Sequence, residues 1–390
     1  MRRGSAACVG AIGVLAAACG GGDDGGKTSA ARETQTTKVE VIQSTPKGAA
    51  QGFDPRTIYK TEAPGVVTLV SLDGNGGNLF GRSREALGSG FVVDDRGYIA
   101  TNAHVVTSDS GRKANKVFAE FADGNRLPAS IVGTDPDADV ALVKVDPSQL
   151  RGPSAKIVPL PIGSTGGLEV GDPVVAIGSP FGEEQSLSVG VVSALNRDIE
   201  SLTDFGIGNA IQTDAAINHG NSGGPLLDSG GNVIGMNAQI RSTGGGGEGV
   251  GFAIPAETVK RSVDQMRAKG NVAYAYLGIS SVTLYPQLAE RLEIDATSGA
   301  LVDRVAGGGP ADDAGLRGAQ SYITFQGVPR IPVGSDLIVA VDGRRLTQAE
   351  DLSDLIGAHH PGDSVDLRII RDHKERTLSV KLGKRPAGSR

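Results

Sequence analysis

The heptapeptide Gly220-Asn221-Ser222-Gly223-Gly224-Pro225-Leu226 sets a serine in a glycine-bounded turn. A serine hydroxyl is a weak nucleophile at neutral pH. It needs a base within hydrogen-bond reach and donors for the oxyanion that develops during attack. Glycines allow the amides of Gly220 and Ser222 to approach one point, so Gly220, Asn221 and Ser222 form the candidate oxyanion site. A plain Gly-Ser turn between two strands has the same composition, so the heptapeptide needs partners elsewhere to mean catalysis.

A candidate base lies upstream in Thr101-Asn102-Ala103-His104-Val105-Val106, just after the apolar run Tyr98-Ile99-Ala100. A histidine at a strand end followed by a small-residue turn can project into a cleft. The chain has five histidines, and only His104 and His219 share a half of it with Ser222. His219 stands three residues before Ser222 in the same tight segment, where its ring orients poorly as a base, and it is read as lining the cleft edge. His104 is therefore the candidate base.

The third group is a carboxylate that fixes the imidazole tautomer. Asp135-Pro136-Asp137-Ala138-Asp139 offers three. Asp135 and Asp137 flank a proline and are expected to be solvated turn residues. Asp139 abuts the apolar run Val140–Val145, and a carboxylate drawn toward the interior needs a partner there. The resulting order, His104 then Asp139 then Ser222, across two strand-rich halves is that of chymotrypsin-like double barrels.

The sequence resembles the HtrA/Deg family of serine proteases over residues 56 to 385. The matching segments are Gly88–Val93, Thr101–Val106, Asp139–Leu142, Gln212–Asn218, Gly220–Leu226 and Gly251–Pro255. Many family members carry proline where this chain has His219, whereas the DegS-like branch has histidine there. The resemblance implies that Asn237, Ala238 and Gln239 pair with substrate backbone and that the pocket base lies near Ala216 and Ile217. Those side chains carry no charge, so small or medium apolar residues are the expected cleavage sites. It also implies that the loop of residues 196–209 transmits signals to the oxyanion site. A homotrimer contacting through Phe53, Ile58 and Tyr59 is a further expectation of the resemblance.

The elements that must position these groups are short. Strand-like runs occur at Val66–Leu72, Gly90–Val93, Tyr98–Thr101, Val117–Phe121 and Val140–Val145. A second set occupies Val174–Ile177, Ser188–Leu195, Ala210–Thr213, Pro225–Leu227, Val233–Ile240 and Val250–Ile254. Two such sets with the catalytic residues divided between them argue for two barrels and a cleft at their junction. Val259, Val263 and Met266 then recur at helical spacing, and Gly270 ends that helix.

Residues 273–385 read as a further α+β unit. Tyr276-Leu277-Gly278-Ile279 opens a strand, and Thr347-Gln348-Ala349-Glu350 reads as a capping box before a helix carrying Leu352, Leu355 and Ile356. This unit resembles a PDZ domain, which binds peptide C-termini as an added strand. Leu277, Gly278 and Ile279 would hold the carboxylate, and Leu352 and Ile356 would line the pocket. Gln320 to Val333 exceeds a compact PDZ and is expected to be an extra loop. The fold class is thus mostly β: a chymotrypsin-like double β-barrel over residues 56–270, then a small α+β PDZ domain over 273–385.

Composition agrees with that reading. Glycine supplies 58 of 390 residues and aromatics only 4%, which suits a turn-dense β protein rather than a helical bundle. A net charge of −6 without a basic stripe excludes nucleic acid as an expected partner. The glycine runs Gly74–Gly77 and Gly244–Gly247 lack the Lys-Ser/Thr of a phosphate loop. No Cys/His cluster suggests a metal, and no cofactor is expected. Residues 1–18 read as a signal peptide, with Arg2 and Arg3 before a short apolar stretch. Leu15-Ala16-Ala17-Ala18-Cys19 resembles a lipoprotein signal with Cys19 lipidated, which implies an extracytoplasmic protein held at the membrane. Residues 19–55 are a flexible tether by composition.

Three functional classes follow. The first is an extracytoplasmic endopeptidase for misfolded or regulatory proteins, regulated by peptides at the PDZ domain. The second is a peptide-binding chaperone in which proteolysis is secondary. The third is an esterase, which lacks the Gly-x-Ser-x-Gly elbow such enzymes use.

Overall fold

Twelve short strands close into two six-stranded barrels. The structure, a computed structural model, describes residues 53–73, 84–108, 110–152, 156–179, 185–203, 205–218, 220–238 and 250–386. The leader and most of the tether, Cys19, His219, Gln239 and both glycine runs lie outside them. Helix α1 (Pro55–Glu62) is the first element of the described residues, with Asp54 as its N-cap and proline in its first turn. Of the residues expected at a trimer contact, Ile58 is instead buried in the core of its own chain, and the Tyr59 hydroxyl donates to Gln185 O at 2.8 Å.

The first barrel comprises β1 (Val66–Asp73), β2 (Arg84–Val92), β3 (Tyr98–Thr101), β4 (Lys116–Phe121), β5 (Arg126–Asp135) and β6 (Val140–Lys144), in the order β1-β2-β3-β6-β5-β4. A single helical turn, α2 (Ala103–Val106), follows β3. The second barrel comprises β7 (Pro173–Gly178), β8 (Ser186–Ile199), β9 (Ile207–Thr213), β10 (Pro225–Leu227), β11 (Val233–Ala238) and β12 (Gly251–Pro255), in the order β10-β11-β12-β9-β8-β7.

The two-residue period of a strand explains why the barrels meet. On β6, Ala141 and Val143 point into the first barrel's core, while Val140 and Leu142 join a separate buried layer. On β7, Val174 and Ala176 fill the second barrel, while Val175 and Ile177 enter that same layer. Strands buried on both faces read as continuous apolar runs, and the outward faces fuse into a seam between barrels.

Two elements of the barrels differ from expectation. Strand β5 was hidden because Pro128, Ser130 and Gly133 carry little strand signal. The loop expected over residues 196–209 is shorter, since β8 runs to Ile199 and β9 begins at Ile207.

Helix α3 (Ala256–Lys269) buries Val259, Val263 and Met266 and ends at Gly270 in the left-handed region, φ 73°. Only glycine takes that conformation without strain, which is why the helix stops there. The chain then forms β13 (Ala275–Tyr276), β14 (Ile279–Leu284), α4 (Pro286–Arg291), β15 (Gly299–Val305), α5 (Pro310–Asp313), the hairpin β16 (Ser321–Phe325) and β17 (Val328–Val333), β18 (Leu337–Val341), β19 (Arg344–Arg345), α6 (Glu350–Gly357), β20 (Ser364–Arg371), β21 (Lys374–Lys381) and β22 (Gly383–Lys384). The main sheet runs β14-β15-β18-β20-β21, so β14 is an edge strand. The segment expected as an extra loop is this paired hairpin. The capping box is also corrected: Thr347 N and Oγ1 both donate to Asp351 at 2.7 Å, and the helix starts after Ala349.

Candidate active site

The turn that carries the candidate base is held at four points by one aspartate, two of them on His104 itself. Strand β3 ends at buried Asn102, and α2 carries His104 in its single turn. Asp139 sits between the turn after β5 and the start of β6 with φ 50°, a left-handed conformation that aspartate tolerates better than most residues. This turns its carbonyl toward α2, where Asn102 Nδ2 donates to it at 2.9 Å and Ala103 N at 3.1 Å. Its carboxylate Oδ1 accepts from His104 N at 3.0 Å, and Oδ2 lies 2.8 Å from His104 Nδ1. The Asp139 side chain is 9% exposed and that of His104 32%, so the acid is enclosed and the ring opens outward. With Nδ1 facing the carboxylate, Nε2 is the nitrogen left to exchange a proton with a nucleophile.

The neighbouring aspartates are not solvated. Asp135 is 2% exposed and accepts from Ser262 Oγ at 2.5 Å and Tyr274 Oη at 2.6 Å. Burial raises its carboxyl above the ordinary value of 3.8. Asp137 accepts from Thr203 Oγ1 at 2.8 Å and faces Arg385 at 3.6 Å. The sequence around Pro136 looks like a surface turn, and only the α3 linker and loop packing onto it reverse that.

The serine turn is fastened across the seam by the first barrel. Ser89 on β2 donates from N to Ser222 O at 2.8 Å and from Oγ to Gly220 O at 2.5 Å. Ser89 Oγ also accepts from Ser179 N at 2.9 Å. Gly220 and Gly223 have φ of 103° and 85°. A Cβ on Gly223 would lie 2.2 Å from Ser89 O, so the close approach of the barrels requires glycine there. Asn221 N is spent on Asn218 O at 3.0 Å, and its Nδ2 donates to Ala216 O at 3.2 Å. Asn221 therefore braces the turn, and its amide is withdrawn from the expected oxyanion set. The amides of Gly220 and Ser222 donate to no other described residue. Ser222 Oγ is buried with no hydrogen-bond partner among the described residues.

Ser89 lies in the segment Gly88–Val93, whose sequence marks it as part of a strand and gives it no functional role. A glycine-flanked serine facing Ser222 across two barrels has no local signal.

The remaining expected residues divide. Asn237 N and O are paired with Gly224 O and Gly223 N, each at 2.9 Å, so this residue supports the serine turn from behind. Ala238 continues β11 opposite Phe252. Ala216 is exposed, and Ile217 packs at the edge of the second barrel beside Gly251, where a Cβ would meet Ile217 Cγ1 at 2.5 Å. In the C-terminal unit, Leu277 and Gly278 carbonyls accept from Ala311 N and Ala306 N, and Gly278 has φ 84°. Leu352 and Ile356 are buried beneath α6 together with Leu277. Ala349 N donates to Thr283 Oγ1 at 3.0 Å, joining the start of α6 to edge strand β14. Among the described residues no group of three or more His, Cys, Asp or Glu side chains could hold a metal.

Comparisons with known proteins agree on both halves. A model of the trypsin-like peptidase domain matches residues 88–236, and one of the PDZ domain matches residues 275–382. "Probable periplasmic serine endoprotease DegP-like" of Pseudomonas fulva (strain 12-X) is 40% identical over 311 residues, 79% of this chain and 58% of that protein. "Protease Do-like 1, chloroplastic" of Arabidopsis thaliana is 42% identical over 301 residues, 77% of this chain and 64% of that protein. The chain thus spans less than two thirds of the length of these relatives. The solved structure "HtrA-type protease AlgW with tripeptide" matches with a TM-score of 0.68 at 30% identity, covering 86% of this chain and 98% of that one.

Proposed function

The chain belongs to the HtrA-type family of proteases, and from that premise we propose that it is a serine endopeptidase acting outside the cytoplasm on unfolded or regulatory proteins. The observation that carries this reading is the two-point grip of the Asp139 carboxylate on His104, on the barrel that also fastens the Ser222 turn. Ser222 Oγ attacks the scissile carbonyl as His104 Nε2 takes its proton. Asp139 stabilises the imidazolium without accepting the proton itself. The amides of Gly220 and Ser222 receive the oxyanion. His104 then protonates the leaving amine, and water enters by the reverse sequence to release the acyl group.

The uncharged side chains of Ala216 and Ile217 support cleavage after small or medium apolar residues, with Ala238 and Gln239 beside the substrate backbone. Residues 56–270 form the protease domain in this reading and 273–385 the PDZ domain, which takes peptide C-termini between β14 and α6 and regulates hydrolysis. The leader with Cys19 would tether the enzyme to a membrane, and a homotrimer is the expected assembly.

The test uses Ser222→Ala in the full chain. Hydrolysis of β-casein should fall to background while far-ultraviolet circular dichroism stays unchanged. Retained cleavage would overturn the assignment of the nucleophile.

A further inference from the structure

We infer that Arg385 is a positioning residue for the catalytic turn: its guanidinium, seated between Phe205 and Tyr274 and paired with Asp137, ties the end of the PDZ domain to the segment presenting Asp139. The inference rests on the reading of His104, Asp139 and Ser222 as the catalytic groups.

The contacts come from four separate parts of the chain. Arg385 follows β22 directly, and β22 pairs with β13, so the residue stands on a two-stranded ribbon. Its backbone N donates to Tyr274 O at 2.9 Å. Its guanidinium carbon lies 4.7 Å from the Tyr274 ring centroid and 4.5 Å from that of Phe205. Nη1 approaches Asp137 Oδ2 at 3.6 Å, with only 20% and 17% of the two side chains exposed. The other Asp137 oxygen accepts from Thr203 Oγ1 at 2.8 Å. Phe205 and Thr203 belong to the β8–β9 connection, which Ser201 Oγ closes on itself through Thr203 and Phe205 O.

Tyr274 extends the chain of contacts. Arg261 of α3 lies 5.0 Å from its ring centroid, and its hydroxyl donates to buried Asp135. Both carboxylates that precede Asp139 in its turn are therefore held from outside the first barrel, Asp135 by the linker and Asp137 by the clamp. Asp139 needs its left-handed backbone to offer carbonyl and carboxylate to α2 together. A turn fastened at both preceding residues retains that conformation, and a loosened one loses the orientation of His104.

The chemistry requires arginine. Arg385 Nε is buried without an acceptor, so two ring contacts and one ion pair hold the group in place of a full set of hydrogen bonds. A planar guanidinium presents two faces to two rings, which a compact ammonium cannot do.

The test compares full-length variants on an unfolded casein reporter and on the rate of inactivation by diisopropyl fluorophosphate, which needs the nucleophile and base but no peptide subsites. Arg385→Ala should lower kcat about tenfold with KM within about twofold, because the clamp touches no substrate, and should slow inactivation in parallel. Added ethylguanidinium should restore part of the rate in Arg385→Ala and none in Asp137→Ala. Arg385→Lys should recover little. Phe205→Leu leaves the C-terminal ribbon intact and should reproduce the loss if Arg385→Ala fails to fold. Wild-type kinetics in Arg385→Ala, or in both Phe205→Leu and Asp137→Ala, with Ser222→Ala inactive, would overturn the clamp alone. Residual hydrolysis by Ser222→Ala would instead fail the catalytic reading.

Discussion

A single serine on the first barrel, Ser89, organises the turn that carries the proposed nucleophile on the second. Ser89 Oγ lies between Gly220 O and Ser179 N while its backbone amide holds Ser222 O. Pinning the carbonyls of Gly220 and Ser222 from one side leaves their amides free for the oxyanion. Preorganised donors of that kind supply much of the rate of acyl transfer. Ser89→Ala would strip the buried Gly220 carbonyl of its hydroxyl donor, at a cost of about 1–3 kcal/mol in stability. Because the turn also loses its anchor, kcat should fall about tenfold with little change in KM. Thermal unfolding and steady-state kinetics on one preparation check both, and an unchanged kcat would deny Ser89 a positioning role.

The turn between β5 and β6 shows how an element can be stabilised and titrated together. Asp135 is buried against Ser262 and Tyr274, and desolvation favours its neutral form. The folded chain therefore holds a proton at pH values where the unfolded chain has released it. That contribution to stability is fully present below the ordinary value of 3.8, declines as pH rises through the raised folded value, and is absent above it. Asp135→Asn keeps an oxygen for both hydroxyls and removes the charge. The melting temperature of the variant relative to the parent should rise as pH climbs above the ordinary value of 3.8 and level off above the raised folded value. A difference independent of pH would show that Asp135 does not titrate in this range.

At the scale of the molecule, the helix beside the expected peptide groove rests directly on the second barrel. Arg261 Nη1 of α3 donates to Gly357 O at 3.1 Å, and a Cβ on Gly208 would lie 3.2 Å from Asp354 Oδ1. Burial first, then the charges of Asp198 and Asp351, push the Asp354 carboxyl upward, against hydrogen bonding from Asn209 and the charge of Arg261. Docking of α6 is therefore favoured while Asp354 is protonated and weakens as pH rises through its raised value. Asp354→Asn removes that charge, so amides of α6 and β9 should exchange more slowly than in the parent at pH 7.5, with the difference shrinking as pH falls toward the ordinary value of 3.8. Equal protection at both pH values would mean that the Asp354 charge plays no part in the contact.

The two-barrel plan was legible in the chain, because apolar runs and turn residues record strand burial locally. His104, Asp139 and Ser222 announced themselves through their flanking segments. Tertiary structure alone decided that Asp135 is buried and Asp137 half-buried, that Ser89 faces Ser222, that Asn221 spends its amide inside the turn and that Arg385 reaches Phe205. Each of those depends on segments far apart in the chain that pack at the seam or the linker. A residue's own neighbours state its chemistry and its strand or turn preference. Desolvation and partnership belong to whatever surface arrives from elsewhere, and no local pattern encodes that arrival.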